Sequence, residues 1–159
     1  PRPDLVVCFN SGVGTLPALW APAVATLIAD PPGGRGTTPV LFTSFNRVDE
    51  HTDYLHLRAL VGEDAPGRRA TGLGGADGVE EEPVPAWVQK LAGGATTEAG
   101  KTREWAQSVV EMSGVEPDRL PKWLMGPRLN PARSQRARQS SAYGSMPAHA
   151  NYSFMALTL

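Results

Sequence analysis

Two short, nearly continuous apolar runs dominate the first third of the chain: Leu5-Val6-Val7-Cys8-Phe9 and Val40-Leu41-Phe42-Thr43-Ser44-Phe45. Runs of this length bounded by turn formers read as strands, over residues 4–9 and 39–45, and a strand apolar on both faces belongs in a parallel sheet covered on both sides. Between them, Asn10-Ser11-Gly12-Val13-Gly14 is a turn whose glycines tolerate positive φ. A helix is predicted from Pro22, whose missing N–H suits a first helical position. Val24, Leu27 and Ile28 give it a buried stripe at i, i+3 and i+4, and Asp30-Pro31-Pro32-Gly33-Gly34 stops it. Asn46 is the predicted N-cap of a second helix over 47–60. Asp49 and Glu50 lie in its first turn, where the helix dipole favours acids, and Leu55 and Ala59 are expected to face the sheet. The connection between the two strands should be right-handed. A chain opening directly on such a strand is expected to be part of a larger sheet, with earlier strands preceding Pro1.

The pattern then changes. Residues 61–97 are dominated by Gly, Pro and charge, including Glu80-Glu81-Glu82, and read as a flexible insertion with one short helix over 85–91. A firmer helix is predicted over 98–113, with Trp105, Val109 and Met112 on one face. Residues 126–136 and 152–159 close the chain, and Tyr152-Ser153-Phe154-Met155-Ala156-Leu157-Thr158-Leu159 is apolar enough for a strand. The organisation expected is a core over 1–60, the insertion over 61–97, and a helix plus basic segment over 98–159 completing the same domain.

Composition sharpens this picture in two places. Gly (17) and Pro (15) make up about a fifth of the 159 residues, which fits a chain of which only part packs tightly. Net charge is only −1, yet residues 1–118 carry 9 basic and 16 acidic side chains while residues 119–159 carry 6 basic and none acidic. Such asymmetry marks either a nucleic-acid or acidic-partner tail or a basic tail folded back on an acidic body. The single cysteine, Cys8, excludes an internal disulfide framework and reads as a small apolar core residue. No apolar run is long enough to span a bilayer.

Candidate chemistry is sparse. Gly12-Val13-Gly14-Thr15-Leu16-Pro17 lacks the third glycine of a dinucleotide fingerprint, and Thr43-Ser44-Phe45-Asn46 supplies no acid for a ribose. Ligands of open α/β sheets nevertheless sit at the carboxyl ends of strands. Asn10, Ser11, Gly12, Thr43 and Ser44 are therefore the candidate ligand- or partner-facing edge, with turn and cap roles as the plainer alternative. Residues 95–102 match a relaxed phosphate-loop pattern, but no apolar strand feeds it and Glu98 would repel phosphate, so nucleoside triphosphate is not expected as a partner. Ser11 lacks the glycine two residues earlier that a nucleophile elbow needs. His51 and His56, five apart on one helix, point to different faces, so no shared metal and no catalytic residue is assigned. Arg128, Arg133, Arg136 and Arg138, with Tyr143 and Tyr152 nearby, could contact RNA by phosphate pairing and stacking, or an acidic partner.

Pro3-Asp4-Leu5-Val6-Val7, Phe9-Asn10-Ser11-Gly12, Trp20-x-Pro22 and Pro39-Val40-Leu41-Phe42-Thr43-Ser44-Phe45 resemble the C-terminal domain of the mitochondrial splicing suppressor-like family. Asn130-Pro131-x-Arg133-Ser134 and Asn151-x-x-Phe154 are similar to the way that domain ends, although Ala132 stands where a bulky aromatic is expected. The resemblance implies a Rossmann-type sheet of which this chain is the C-terminal half, often preceded by a MYND-type zinc finger. It also implies a role in translational regulation, inside the cell, in the cytoplasm or mitochondrion. The resulting expectation is an α/β chain: a partial Rossmann-like parallel sheet with flanking helices, an antiparallel C-terminal edge strand and a long irregular insertion. No cofactor is expected in this chain, zinc belonging only to an upstream finger. The function expected is a non-catalytic regulatory module that binds a protein partner, without membrane. The alternatives are a fragment of an S-adenosylmethionine-dependent methyltransferase-like enzyme and an RNA-contacting module.

Overall fold

The computed structural model describes residues 3–32, 34, 38–61, 95–130, 138–139, 147–148 and 153–159. The described elements run β1 (Val6–Cys8), α1 (Pro17–Ala29), β2 (Pro39–Ser44), α2 (Arg47–Val61), α3 (Ala95–Ser113), β3 (Lys122–Leu129), β4 (Arg138–Gln139), β5 (Pro147–Ala148) and β6 (Ser153–Thr158). Residues 62–94, including the short helix expected over 85–91, lie outside the described residues. The fold is α/β. Four strands form one mixed sheet in the order β1-β2-β6-β3, and β4 pairs with β5 in a separate ribbon.

β1 and β2 lie side by side and parallel, with Val6 opposite Val40, Val7 opposite Leu41 and Cys8 opposite Phe42. The remaining pairings of the main sheet are antiparallel. β6 is antiparallel as expected, but it runs between β2 and β3 instead of along an edge. This corrects the expectation, and the reason is β3, a strand not anticipated from sequence. Gly126 and Pro127 disguise it. Proline cannot donate to a ladder and is confined to edges or bulges, and β3 is both: it lies at the end of the sheet and its register shifts twice, between Trp123 and Met125 and between Met125 and Arg128. With neighbours on both sides, β6 buries Ser153, Met155, Ala156 and Leu157.

One core joins all three described helices to one face of the sheet. Val40 and Phe42 of β2, Met155 and Leu157 of β6, and Trp123 of β3 meet Val24 and Ile28 of α1, Tyr54, Leu57 and Leu60 of α2, and Trp105 and Val109 of α3. The expectation of helices on both faces is therefore corrected for the described residues. α2 packs on β2, β3 and β6, and α3 packs against both α1 and α2. Tyr54 stacks on Trp123 with ring centroids 5.7 Å apart, and the Trp105 indole N–H donates to the Pro17 carbonyl at 2.8 Å, tying α3 to the start of α1.

The helices depart from the predicted detail for traceable reasons. α1 starts at Pro17, leaving Pro22 inside it. An interior proline deprives the carbonyl four residues earlier of its donor; here that residue, Ala18, is exposed, so water can serve it. Ala21 and Ala25 join Val24 and Ile28 in the core, while Leu27 is only half-buried. α2 is buried around much of its circumference because it lies between the sheet and α3. Tyr54, Leu57 and Leu60 are its core residues, and the expected Leu55 and Ala59 pack at the margin. α3 begins at Ala95, inside the segment expected to be irregular, and Thr102 and Ala106 share its buried side with Trp105 and Val109, whereas Met112 is exposed.

Candidate functional site

The polar residues of the β1–α1 turn and the end of β2 converge on one carboxylate. The chain leaves β1 through Asn10, whose φ of 47° lies in the left-handed region, and Gly12, at 59°. The Asn10 N–H donates to Thr43 Oγ1 at 2.7 Å and the Ser11 N–H to the Thr43 carbonyl at 2.9 Å, so the turn continues the parallel pairing past Cys8. The Gly12 carbonyl then accepts from the N–H groups of Thr15 and Leu16, closing the loop into α1. This folds the loop against α2.

Asn46 caps that helix as predicted. Its Oδ1 accepts from the N–H groups of Val48 at 2.8 Å and Asp49 at 3.0 Å, satisfying two donors that every helix start leaves open. Asp49 and Asp53 follow one turn apart on the side facing the loop. Asp49 Oδ1 accepts from the Thr15 hydroxyl at 2.9 Å. Asp53 is fully buried. Its Oδ1 accepts from the Gly14 N–H at 2.7 Å, and its Oδ2 accepts from the hydroxyls of Ser44 at 3.0 Å and Ser11 at 3.3 Å. One side chain thus ties together the end of β1, the end of β2 and the body of α2. Gly14 makes this approach possible: a Cβ there would overlap the Thr52 carbonyl carbon and oxygen and come within 2.6 Å of the Asp53 nitrogen.

Burial pushes the Asp53 pKa from 3.8 up to about 7. The hydrogen bonds from Gly14, Ser44 and Ser11 oppose the rise, and the neighbouring Asp49 charge adds to it. A carboxyl poised near neutrality is the kind used for proton transfer, but every hydrogen bond described for this one goes to a group of the chain itself. Ser153 lies opposite Ser44 across the β2–β6 pairing and therefore on the same sheet face; its buried hydroxyl and the buried Asn46 side-chain NH2 have no hydrogen-bond partner among the described residues. Two further groups are displaced by burial alone or chiefly by it. The Cys8 thiol is pushed up to about 11. The His56 imidazole is lowered by burial, against a raising contact of its Nδ1 with the Thr52 carbonyl at 2.9 Å, and its ring meets Trp105 edge-on.

The five residues proposed for the strand edge are thus brought together, and three of them, Ser11, Thr43 and Ser44, are buried. Of the arginines, Arg128 lies half-buried in β3 and Arg138 falls in β4, while Arg133 and Arg136 lie outside the described residues. Residues 95–102, site of the relaxed phosphate-loop pattern, are helical. Asp53 itself was not anticipated. Its signal was available: 49, 53, 57 and 60 share one helix stripe, and a carboxylate in register with two core leucines either has dedicated partners or is misplaced. Among the described residues no group of three or more His, Cys, Asp or Glu is placed to hold a metal ion, and no described helix is long and apolar enough to cross a membrane. The chain matches no protein-family model, no curated protein and no solved structure.

Proposed function

We propose that this chain is a non-catalytic regulatory module that binds a protein partner through the carboxyl end of its parallel strand pair. The observation that carries the reading is the inversion of polarity there. Polar side chains of that end turn inward to Asp53 and to backbone, while the large side chains left in solvent are apolar: Phe9 (67% exposed) after β1, Leu16 (53%) and Leu19 (74%) at the start of α1, and Phe45 (44%) after β2. A strand–helix–strand topology brings all four to the same end of the fold, and apolar side chains gathered at one exposed place mark interaction surfaces. The parallel pair with its connecting helix is read as part of a Rossmann-like sheet. The residues of that unit carry the resemblance to the C-terminal domain of splicing-suppressor-like translational regulators, which supports a regulatory role without a transferred catalytic residue.

The test compares wild type with L19S/F45S, which removes two exposed apolar side chains and leaves the Asp53 tie intact. Quantitative cross-linking in cell extract should yield a protein partner for wild type that is lost in the variant, with matching circular dichroism. A partner retained equally by both contradicts the reading, as does calorimetric binding of S-adenosylmethionine.

A further inference from the structure

The two lateral edges of the sheet are treated differently. At one end, β3 carries Lys122, Gly126 and Pro127 and two register shifts, devices that keep an edge strand from pairing with another chain. At the other end, β1 pairs with β2 in unbroken register, and among the described strands it has a neighbour on that side alone. Leu5-Val6-Val7-Cys8-Phe9 contains no charge, no proline and no bulge. Leu5 is 47% exposed, Phe9 is more so, and Val6, Val7 and Cys8 are half-buried. This lateral edge shares only Phe9 with the carboxyl-end surface invoked above.

We propose that β1 pairs through this edge with β1 of a second copy of the chain, antiparallel and centred on Val7. The segment is its own complement in one register. Side chains alternate faces along a strand, so a two-fold antiparallel pairing keeps the helix-covered faces together only when residues of the same parity stand opposite each other. Centring on Val7 sets Val6 opposite Cys8 of the copy on the core face, and Leu5 opposite Phe9 on the other face, where Leu5, Val7 and Phe9 of both copies form one apolar stripe. Asp4 then meets Asn10, and no like charges face each other. Centring on Val6 instead draws Asp4 into the ladder opposite Cys8. Centring on Cys8 draws in Asn10, whose left-handed backbone is not a strand conformation. The pairing about Val7 is isologous, so it closes at two copies and merges the two four-stranded sheets into one.

The experiment is sedimentation equilibrium on the full chain and three variants, with circular dichroism to check folding. Wild type should be a dimer at concentrations up to the hundred-micromolar range. Val7→Lys sets two ammonium groups opposite each other at the two-fold axis and should weaken association by about tenfold or more. Phe9→Glu, at a still more exposed position, should also weaken it, and serves if Val7→Lys fails to fold. The double variant L5K/F9E places each new lysine opposite a new glutamate of the other copy and should recover the dimer lost in Phe9→Glu. A monomeric wild type overturns the proposal. So does a dimer that survives both Val7→Lys and Phe9→Glu, or a double variant no better than Phe9→Glu alone. L19S/F45S leaves this edge untouched and should remain dimeric, so loss of the carboxyl-end partner and loss of the dimer are separate results.

Discussion

Replacing Asp53 with asparagine isolates the cost of keeping a charge inside this fold. The substitution preserves shape. The new Oδ1 accepts from the Gly14 N–H, and the two serine bonds reverse, the new Nδ2 donating to the Ser11 and Ser44 hydroxyls, a change whose cost does not depend on pH. What changes is the charge. An aspartate whose pKa rises from 3.8 unfolded to about 7 folded binds its proton more tightly in the folded state. Its contribution is therefore most favourable below the unfolded value, and stability falls as pH rises from about 4 to about 7, then stays flat. A gap of about three pH units corresponds to roughly 4 kcal/mol in all, and more than half of that accrues between pH 5 and pH 8. His56 acts oppositely. Its lowered pKa means stability is lost on acidification below its ordinary value of 6.5, so the wild-type profile alone mixes two trends. The difference between D53N and wild type removes the shared histidine. Urea denaturation across this range should show D53N gaining on wild type as pH rises, by a few kcal/mol at pH 8 relative to pH 5. A difference independent of pH, or a gap that narrows on alkalinisation, would show that burial does not raise the Asp53 pKa.

Three further outcomes follow from the same geometry. Gly14→Ala should cost about 3 kcal/mol in denaturant unfolding, because its methyl group meets α2 backbone that cannot yield; Gly12→Ala, whose Cβ would make only an ordinary contact with the Thr15 side chain and whose cost is backbone strain, should cost about 1 kcal/mol, and equal losses would contradict the close approach. Ser153→Ala removes a buried hydroxyl that has no partner among the described residues and should leave stability unchanged or raise it by up to about 1 kcal/mol, whereas Ser44→Ala should cost about 1 kcal/mol; the reverse ranking in thermal or urea unfolding would count against the assigned hydrogen bonds. Cys8, with its thiol pushed up to about 11, should resist iodoacetamide at neutral pH and react only under alkaline conditions or on unfolding; mass spectrometry showing rapid alkylation of the native chain near pH 7.5 would contradict its burial.

The parallel β1–β2 pair, the Asn46 cap and the antiparallel direction of β6 were legible because each rests on a local signal. These signals are an uninterrupted apolar run, an asparagine before an acidic first turn, and an apolar run at residues 152–159. β3 was not legible because Gly126 and Pro127 mask a strand that exists only by virtue of β6 beside it. The interior placement of β6 was lost with it. Pro22 suggested a helix start because its tolerance inside α1 depends on which side of the helix faces water, a tertiary fact. At the site, Ser11, Thr43 and Ser44 were correctly grouped by topology, but their direction was set by Asp53, forty-two residues from Ser11 in sequence. A polar residue at a strand end looks the same in sequence whether it meets a ligand or a buried carboxylate.

The Gly-rich loop is pinned to α2 by the chain itself, and the large side chains that end leaves in solvent are apolar. Amide hydrogen exchange of Gly14, read residue by residue by NMR, tests this most directly. The Gly14 N–H should be strongly protected in the wild-type protein, comparably to the Ser11 N–H that bonds the Thr43 carbonyl, and should lose that protection in Asp53→Ala while β2 amides keep theirs. A Gly14 amide exchanging at the rate of an open loop in the wild type, with the β2 amides still protected, would contradict it.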